Sequence, residues 1–169
     1  YHGIDTKIVR IFNTYGPRMR INDGRAIPNF LKQSLTGENL TAYGDGSQTR
    51  SFCYVDDMIG AFIELMRTRD DITGPINLGN PEELTILELA NTIKELMGSN
   101  VNLKKLPLPE NDPTRRCPDI SLAKDILKWK PKIPLEKGLS QTFKWYLNNQ
   151  KFFKSVSKKL YVNRLGLKK

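Results

Sequence analysis

The sequence is poor in histidine and cysteine. His2 is the only histidine among 169 residues, and Cys53 and Cys117 are the only cysteines. A single histidine nearly excludes a His-rich metal site or His-based catalysis in this chain, and we expect no metal. The two cysteines are far apart and form no Cys-x-x-Cys pair, which favours free thiols in a reducing compartment over a disulfide.

Long hydrophobic runs are also missing. No apolar stretch approaches the roughly 20 residues that a membrane span needs, and no secretory signal peptide is visible. The composition, 38% hydrophobic and 27% charged, is ordinary for a globular domain. Together these features predict a protein of the cytoplasm.

Acidic residues are absent from the last part of the chain. Residues 151–169 hold seven of the 27 lysines and arginines and no Asp or Glu, which accounts for +7 of the net charge of +9. Such a tail could dock on its own protein, on an anionic membrane surface or on nucleic acid. We favour a solvated or self-docked tail. We expect no nucleic-acid partner, because the charge is not interleaved with aromatic stacking residues in the ordered region of the chain.

The most informative stretch lies near the start of the sequence. Residues 7–12, KIVRIF, form a β-branched apolar run that predicts a buried strand. A turn predicted at residues 13–17, NTYGP, follows, and then Arg18, Arg20 and Arg25. Because open α/β sheets bind ligands beyond the carboxyl ends of their strands, we expect a phosphate-bearing ligand here. A buried parallel strand needs neighbours, so we interpret the chain as the C-terminal part of a larger domain.

Strand and helix patterns alternate along the chain, which predicts the α/β class. Strands are predicted at residues 40–43, 50–55, 75–78 and 101–106, and helices at residues 26–35, 120–128 and 135–147. A further helix begins at Asp56 and Asp57, which we interpret as its caps. Another begins at the capping box of Thr85 and Glu88 and ends at Gly98.

Several motifs in a fixed order resemble those of the extended short-chain dehydrogenase/reductases that act on nucleotide sugars. They are NTYGPRM at residues 13–19, DGR at 23–25, YGDGSQTRSF at 43–52, NLGNP at 77–81 and RCPD at 116–119. The resemblance is closest to the UDP-glucuronic acid decarboxylases and runs from Gly3 to about Trp145. The family's Gly-x-x-Gly-x-x-Gly loop and its Tyr-x-x-x-Lys pair do not occur in this sequence.

This resemblance implies the C-terminal part of a Rossmann-type NAD(P)-binding domain with a small mixed α/β substrate-binding lobe. Residues 1–37 would complete the dinucleotide-binding domain, and residues 38–148 would form mainly the nucleotide-sugar-binding lobe. Residues 149–169 would be the basic tail.

The resemblance also implies NAD-dependent decarboxylation of UDP-glucuronate to UDP-xylose by a protein that forms a homodimer when full length. The alternatives are a nucleotide-sugar 4,6-dehydratase, a 4-epimerase, or a non-catalytic nucleotide-sugar-binding fragment. Because the Tyr/Lys pair is absent, we assign no catalytic residue to this chain, and we expect the chain alone to be inactive.

Residue by residue, the resemblance implies binding roles for polar and cationic side chains of the motifs. The substrate-binding residues would be Asn13, Arg25, Thr41, Tyr43, Arg50 and Arg116. The residues that contact NAD would be Thr14, Arg20 and Arg25. A diphosphate favours Arg over Lys, because the guanidinium is planar and offers several donors. Arg116 follows a proline-rich loop, on a segment that we expect to close over a ligand.

Overall fold

Residues 6–98, 100–110 and 112–149 are described by the structure, which is a computed structural model. Within these ranges the chain contains five helices and nine short strands, and most strand pairs are parallel. The predicted α/β class is therefore confirmed. The basic tail predicted for residues 149–169 lies outside the described residues, except for Asn149.

The strands form three parallel pairs and one three-stranded sheet. β1 (Val9–Ile11) pairs with β6 (Ile76–Leu78), β2 (Thr14–Tyr15) with β5 (Cys53–Tyr54), and β3 (Leu40–Tyr43) with β8 (Leu103–Leu106). In the three-stranded sheet, β4 (Thr49–Ser51) lies between the antiparallel β7 (Glu83–Thr85) and the parallel β9 (Arg115–Arg116).

The helices lie close to their predicted positions. They are α1 (Ala26–Thr36), α2 (Val55–Met66), α3 (Ile86–Met97), α4 (Ser121–Leu127) and α5 (Leu135–Asn148). None of the described helices has the length and apolar character that crossing a membrane requires.

The ends of α1 and α3 follow the local sequence signals. Gly37 ends α1 in the left-handed conformation with φ of 72°, and Gly98 ends α3 with φ of 57°. At the start of α3, the Thr85 hydroxyl accepts a hydrogen bond from the Glu88 amide at 3.0 Å, and the Glu88 carboxylate accepts one from the Thr85 amide at 2.7 Å. The predicted capping box is confirmed.

Two apolar clusters form the core. In the first, α1, α3 and α5 pack around β3 through buried side chains such as Phe30, Leu40, Leu89 and Leu139. This cluster joins residues on both sides of the predicted domain boundary at residue 37, and the boundary stays a prediction. In the second, α2 and α4 pack against β6 through Met58, Ala61, Ile76, Leu78, Ile120 and Ala123.

The prediction of a buried strand at residues 7–12 is wrong. β1 has only three residues, and the neighbouring Ile8 and its own Ile11 are 54% and 57% exposed. The reason is that β1 pairs along one edge with β6, and no other described strand pairs with it. Of the three residues of β1, only Val9 packs against the second core cluster.

Two other local predictions were incomplete. The strand predicted at residues 50–55 is divided at Phe52 into β4 and β5, which belong to different sheets. The turn predicted at residues 13–17 contains β2, whose Thr14 and Tyr15 pair with Cys53 and Tyr54. Both differences arise from pairing between segments 32 to 66 residues apart, which local sequence patterns do not encode.

The role predicted for Asp57 as a helix cap is also wrong. Asp57 lies in the first turn of α2, but no side chain caps that helix. Its carboxylate instead accepts hydrogen bonds from the backbone amides of Lys132 and Ile133, at 2.9 and 2.8 Å. Asp57 is buried, so it satisfies the amides of the linker between α4 and α5 and fixes that linker against α2.

We expect Asp57→Ala to lower the free energy of unfolding by about 3 kcal/mol, because hydrogen bonds to a charged group contribute about 1.5–3 kcal/mol each. Urea denaturation measures this loss. The neighbouring Asp56 is exposed, so Asp56→Ala is the matched control, with an expected change below about 1 kcal/mol. Equal losses for the two variants would contradict the structural role of Asp57.

Candidate functional site

One cavity collects almost all of the predicted binding residues. It has a volume of about 440 Å³ and lies between the end of β2, the first turn of α1, β3, β4 and the segment that leads to β9. The predicted residues that line it are Asn13, Thr14, Arg25, Thr41, Tyr43, Arg50 and Arg116. Arg20 is exposed and does not line the cavity, and the cofactor contact implied for it stays a prediction.

Arg50 and Arg116 lie side by side in this cavity. In the parallel ladder between β4 and β9, Arg116 is the register partner of Arg50. Register partners share one face of a sheet, so both side chains lie on the face that lines the cavity. Two adjacent guanidinium groups favour an anion with several oxygen acceptors, such as a diphosphate.

The two arginines differ in how they are held. Arg50 is only 8% exposed, and its guanidinium donates to the Thr49 carbonyl and to the Asp112 carboxylate, each at 2.8 Å. Arg116 is exposed and has no hydrogen-bond or ion-pair partner for its side chain among the described residues. Arg50 is therefore fixed in place, whereas the guanidinium of Arg116 has its donors available for a ligand.

Arg116 lies in a strand and not in a loop, because β9 pairs with β4 in the three-stranded sheet. Closure of its segment over a ligand stays a prediction. The Thr49 amide donates to the Thr114 carbonyl at 2.9 Å, just before β9 begins. Arg116 is thus presented by a sheet edge and reaches the cavity without closure of a loop.

A third arginine lies at the start of α1. Arg25 occupies the N-cap position and forms a two-pronged ion pair with Asp23, in which Nη2 donates to Oδ2 at 2.9 Å. This contact raises the pKa of Arg25. The first turn of α1 lines the cavity, has no acidic residue and has no side-chain cap. Amides at such a helix terminus add to a positive field that favours anions.

Asn13 and Thr14 form the cavity wall where β1 leads into β2. The Asn13 side-chain amide donates to the Ser51 carbonyl at 3.3 Å, and the Thr14 hydroxyl donates to the Phe12 carbonyl at 2.9 Å. These contacts orient both side chains. No described residue donates a hydrogen bond to the side-chain oxygen of Asn13 or of Thr14, so both oxygens can accept one from a ligand.

Thr41 and Tyr43 line the cavity from β3. The Gln33 side chain on α1 holds Thr41 by donating to its hydroxyl at 2.8 Å and accepting from its amide at 3.1 Å. Gln48 donates to the Tyr43 carbonyl at 2.8 Å and also lines the cavity. Backbone and side-chain groups of this segment are therefore ordered before any ligand binds.

The rest of the wall is mixed and was largely missed by sequence reasoning. Its apolar part includes Ile27, Pro28, Phe30, Phe52 and Ile86, and its polar part includes Asn29, Glu110 and Asp112. Phe52 belongs to the quoted YGDGSQTRSF motif, which was a signal for it. A cavity of this size with apolar walls and several convergent polar groups is typical of small-molecule sites.

Neither cysteine has reactive character in this structure. Burial raises the pKa of the Cys53 thiol to about 12, and burial also raises the pKa of Cys117. The described part of the chain contains no cluster of three His, Cys, Asp or Glu side chains that could hold a metal ion.

Known proteins resemble the chain in sequence. Residues 1–79 match the NAD dependent epimerase/dehydratase family. UDP-glucuronic acid decarboxylase 3 of Arabidopsis thaliana is 54% identical over 138 residues, which cover 82% of this chain and 40% of that protein. UDP-glucuronic acid decarboxylase 1 of Danio rerio is 50% identical over 144 residues, which cover 85% and 34%. The chain thus spans 40% or less of the length of these curated relatives.

Solved structures share the fold. UDP-glucuronic acid 4-epimerase from Bacillus cereus, in complex with UDP-glucuronic acid and NAD, superposes with a TM-score of 0.79 at 32% identity, over 86% of this chain and 46% of that chain. UDP-glucose 4-epimerase from Thermotoga maritima, with UDP-glucose, gives 0.82 at 29% identity, over 88% and 48%. A dTDP-glucose 4,6-dehydratase from Bacillus anthracis, in complex with NAD, gives 0.77 at 27% identity, over 88% and 46%.

Proposed function

We propose, from the premise that this chain is a relative of the UDP-glucuronic acid decarboxylases, that its cavity binds UDP-glucuronate. The observation that carries the proposal is the pairing of Arg50 with Arg116 in a cavity whose lining also includes the aromatic residues Phe30, Tyr43 and Phe52. This arrangement matches a ligand that has a diphosphate next to a flat nucleobase.

The parts of the ligand are assigned to the cavity as follows. Arg116 would bind the diphosphate with guanidinium donors that have no partner among the described residues. Arg50, whose Nη1 and Nη2 donate to the Thr49 carbonyl and the Asp112 carboxylate, would add positive charge beside it. The segment from Thr41 to Arg50, together with Arg25, would hold the nucleotide. Asn13 would also contact the sugar diphosphate, because its side chain is held beside β4 by the Ser51 carbonyl.

We propose NAD as the cofactor of the whole protein. When bound, NAD supplies removal and return of a hydride at a sugar carbon. Thr14 lines the cavity beside Asn13, which fits a contact near the nicotinamide end. The described residues provide no glycine-rich phosphate cradle, so we place no other part of NAD on this chain.

For the whole protein we propose the decarboxylation of UDP-glucuronate to UDP-xylose, a lyase reaction. The decarboxylase relatives support this choice. A 4-epimerase or 4,6-dehydratase is the second candidate, because solved enzymes of both kinds share the fold. A homodimer and a place in the cytoplasm stay predictions.

Calorimetric titration of the chain tests the proposal. We expect UDP and UDP-glucuronate to bind, and uridine to bind at least roughly tenfold more weakly, because it lacks the charges that the arginine pair recognises. With NAD and UDP-glucuronate present, we expect no carbon dioxide above a buffer blank, because the sequence has no Tyr-x-x-x-Lys pair.

Two outcomes would contradict these expectations. Equal affinities for UDP and uridine would show that the arginine pair does not bind the diphosphate. Formation of UDP-xylose by material of confirmed mass would show that this chain carries catalytic residues that its motifs do not reveal.

A further inference from the structure

One carboxylate joins all three strands of the sheet that presents Arg116. Glu83 on β7 accepts a hydrogen bond from the Thr49 hydroxyl on β4 at 2.7 Å. It also accepts two from the Arg115 guanidinium on β9, at 2.9 Å from Nε and 2.6 Å from Nη2. These contacts form a network, here called the Glu83 clamp, of Glu83, Thr49 and Arg115.

The Glu83 clamp lies on the face of the sheet opposite to the cavity. Consecutive residues of a strand point to opposite faces, so Arg115 reaches Glu83 while Arg116 lines the cavity. β9 has only two residues and lies at the edge of its sheet. Because so short a strand forms few backbone hydrogen bonds, side-chain contacts have a large share in holding it on β4.

We propose that Glu83 is a positioning residue that fixes β9 through Arg115 and thereby places Arg116 for binding of the ligand diphosphate. This inference rests on the proposed function and extends it to the opposite face of the sheet. Glu83 does not line the cavity, so it acts on the ligand only through the placement of β9.

Because the ion pair is largely exposed, its role in positioning β9 can be distinguished from a contribution to folding stability. The side chains of Arg115 and Glu83 are 71% and 23% exposed, and exposed ion pairs contribute little to folding stability. The Arg115 guanidinium, followed by the Thr49 hydroxyl, lowers the pKa of Glu83 to about 2. The carboxylate therefore stays charged throughout the neutral range, and the clamp is present under assay conditions.

The test measures UDP and uridine affinity by calorimetry and stability by urea denaturation. We expect Glu83→Gln and Arg115→Ala each to weaken UDP binding by roughly fivefold, because a fraction of molecules no longer presents Arg116. Uridine affinity and the free energy of unfolding should stay nearly unchanged. In an Arg116→Ala background, Glu83→Gln should have no further effect on UDP binding.

The matched control is Glu64→Gln, which removes the exposed ion pair of Glu64 with Arg67 on α2. This variant should bind UDP like the parent chain, because neither residue lines the cavity. The double variant Glu83→Arg with Arg115→Glu re-forms an ion pair, and it should recover part of the lost affinity.

The outcomes distinguish this inference from the proposed function. UDP binding that is insensitive to Glu83→Gln would overturn the inference alone. Equal losses of UDP and uridine affinity would also overturn it, because they would indicate a structural role. Failure of the parent chain to bind UDP would overturn the proposed function and the inference together.

Discussion

Replacement of Arg116 by alanine is expected to weaken UDP binding by about tenfold or more and to leave uridine binding unchanged. Hydrogen bonds to a charged group contribute about 1.5–3 kcal/mol each, and about 1.4 kcal/mol corresponds to a tenfold change in affinity. Arg116 is exposed and has no side-chain partner among the described residues, so its removal leaves no buried charge behind. Calorimetric titration with UDP and uridine measures both affinities.

Further variants show whether geometry or charge is responsible. Arg116→Lys keeps the charge but loses the two-pronged geometry, so we expect an intermediate loss of UDP affinity. Arg69→Ala is the matched control, because Arg69 forms an exposed ion pair with Asp71 away from the cavity. Equal losses for UDP and uridine would mean that Arg116 supports the fold, and no loss for either would exclude a binding role.

Gly138→Ala is expected to lower the free energy of unfolding by about 2 kcal/mol, although alanine normally stabilises a helix by about 0.5–1 kcal/mol relative to glycine. Gly138 is buried in α5, and an added methyl group would overlap the Tyr15 hydroxyl and lie 2.8 Å from a ring carbon of Tyr54. The Tyr15 hydroxyl donates to the Leu135 carbonyl at 3.1 Å. Overpacking of this kind costs about 1–3 kcal/mol, and loss of the hydrogen bond adds about 1 kcal/mol.

Gly60 in α2 provides the matched control. The nearest atom to an added methyl group there is Nε1 of Trp129 at 3.9 Å, an ordinary contact distance. We therefore expect Gly60→Ala to raise the free energy of unfolding by about 0.5–1 kcal/mol. Urea denaturation of both variants shows whether each substitution lowers or raises the free energy of unfolding. A stabilising effect of Gly138→Ala would show that α5 shifts to accept the methyl group.

The cationic residues of the cavity and several of its polar residues could be predicted from sequence, whereas most of the apolar wall could not. The motifs indicated seven of the residues that line the cavity, and Arg20 was the exception. They did not indicate Asp112, which fixes Arg50, or Glu83, which holds β9 through Arg115. The partners of these two acidic residues are distant in the sequence. Asp112 lies 62 residues from Arg50, and Glu83 lies 32 residues from Arg115.

The sequence by itself determined the features whose energies act over a few residues. The capping box of Thr85 and Glu88 begins α3, and Gly37 and Gly98 end their helices in the left-handed conformation. The interactions responsible join positions about three to five residues apart, so the pattern is complete within the local sequence.

Only the tertiary structure decided how the short strands pair and which face each side chain takes. β9 has two residues, too few for an alternating pattern, and its pairing with β4 places Arg116 on the cavity and Arg115 on Glu83. Similarly, Asp57 lies in a helix start but satisfies amides 75 residues away. Such choices depend on contacts that form only when distant segments meet, because the side-chain pattern of two residues fits either face equally well.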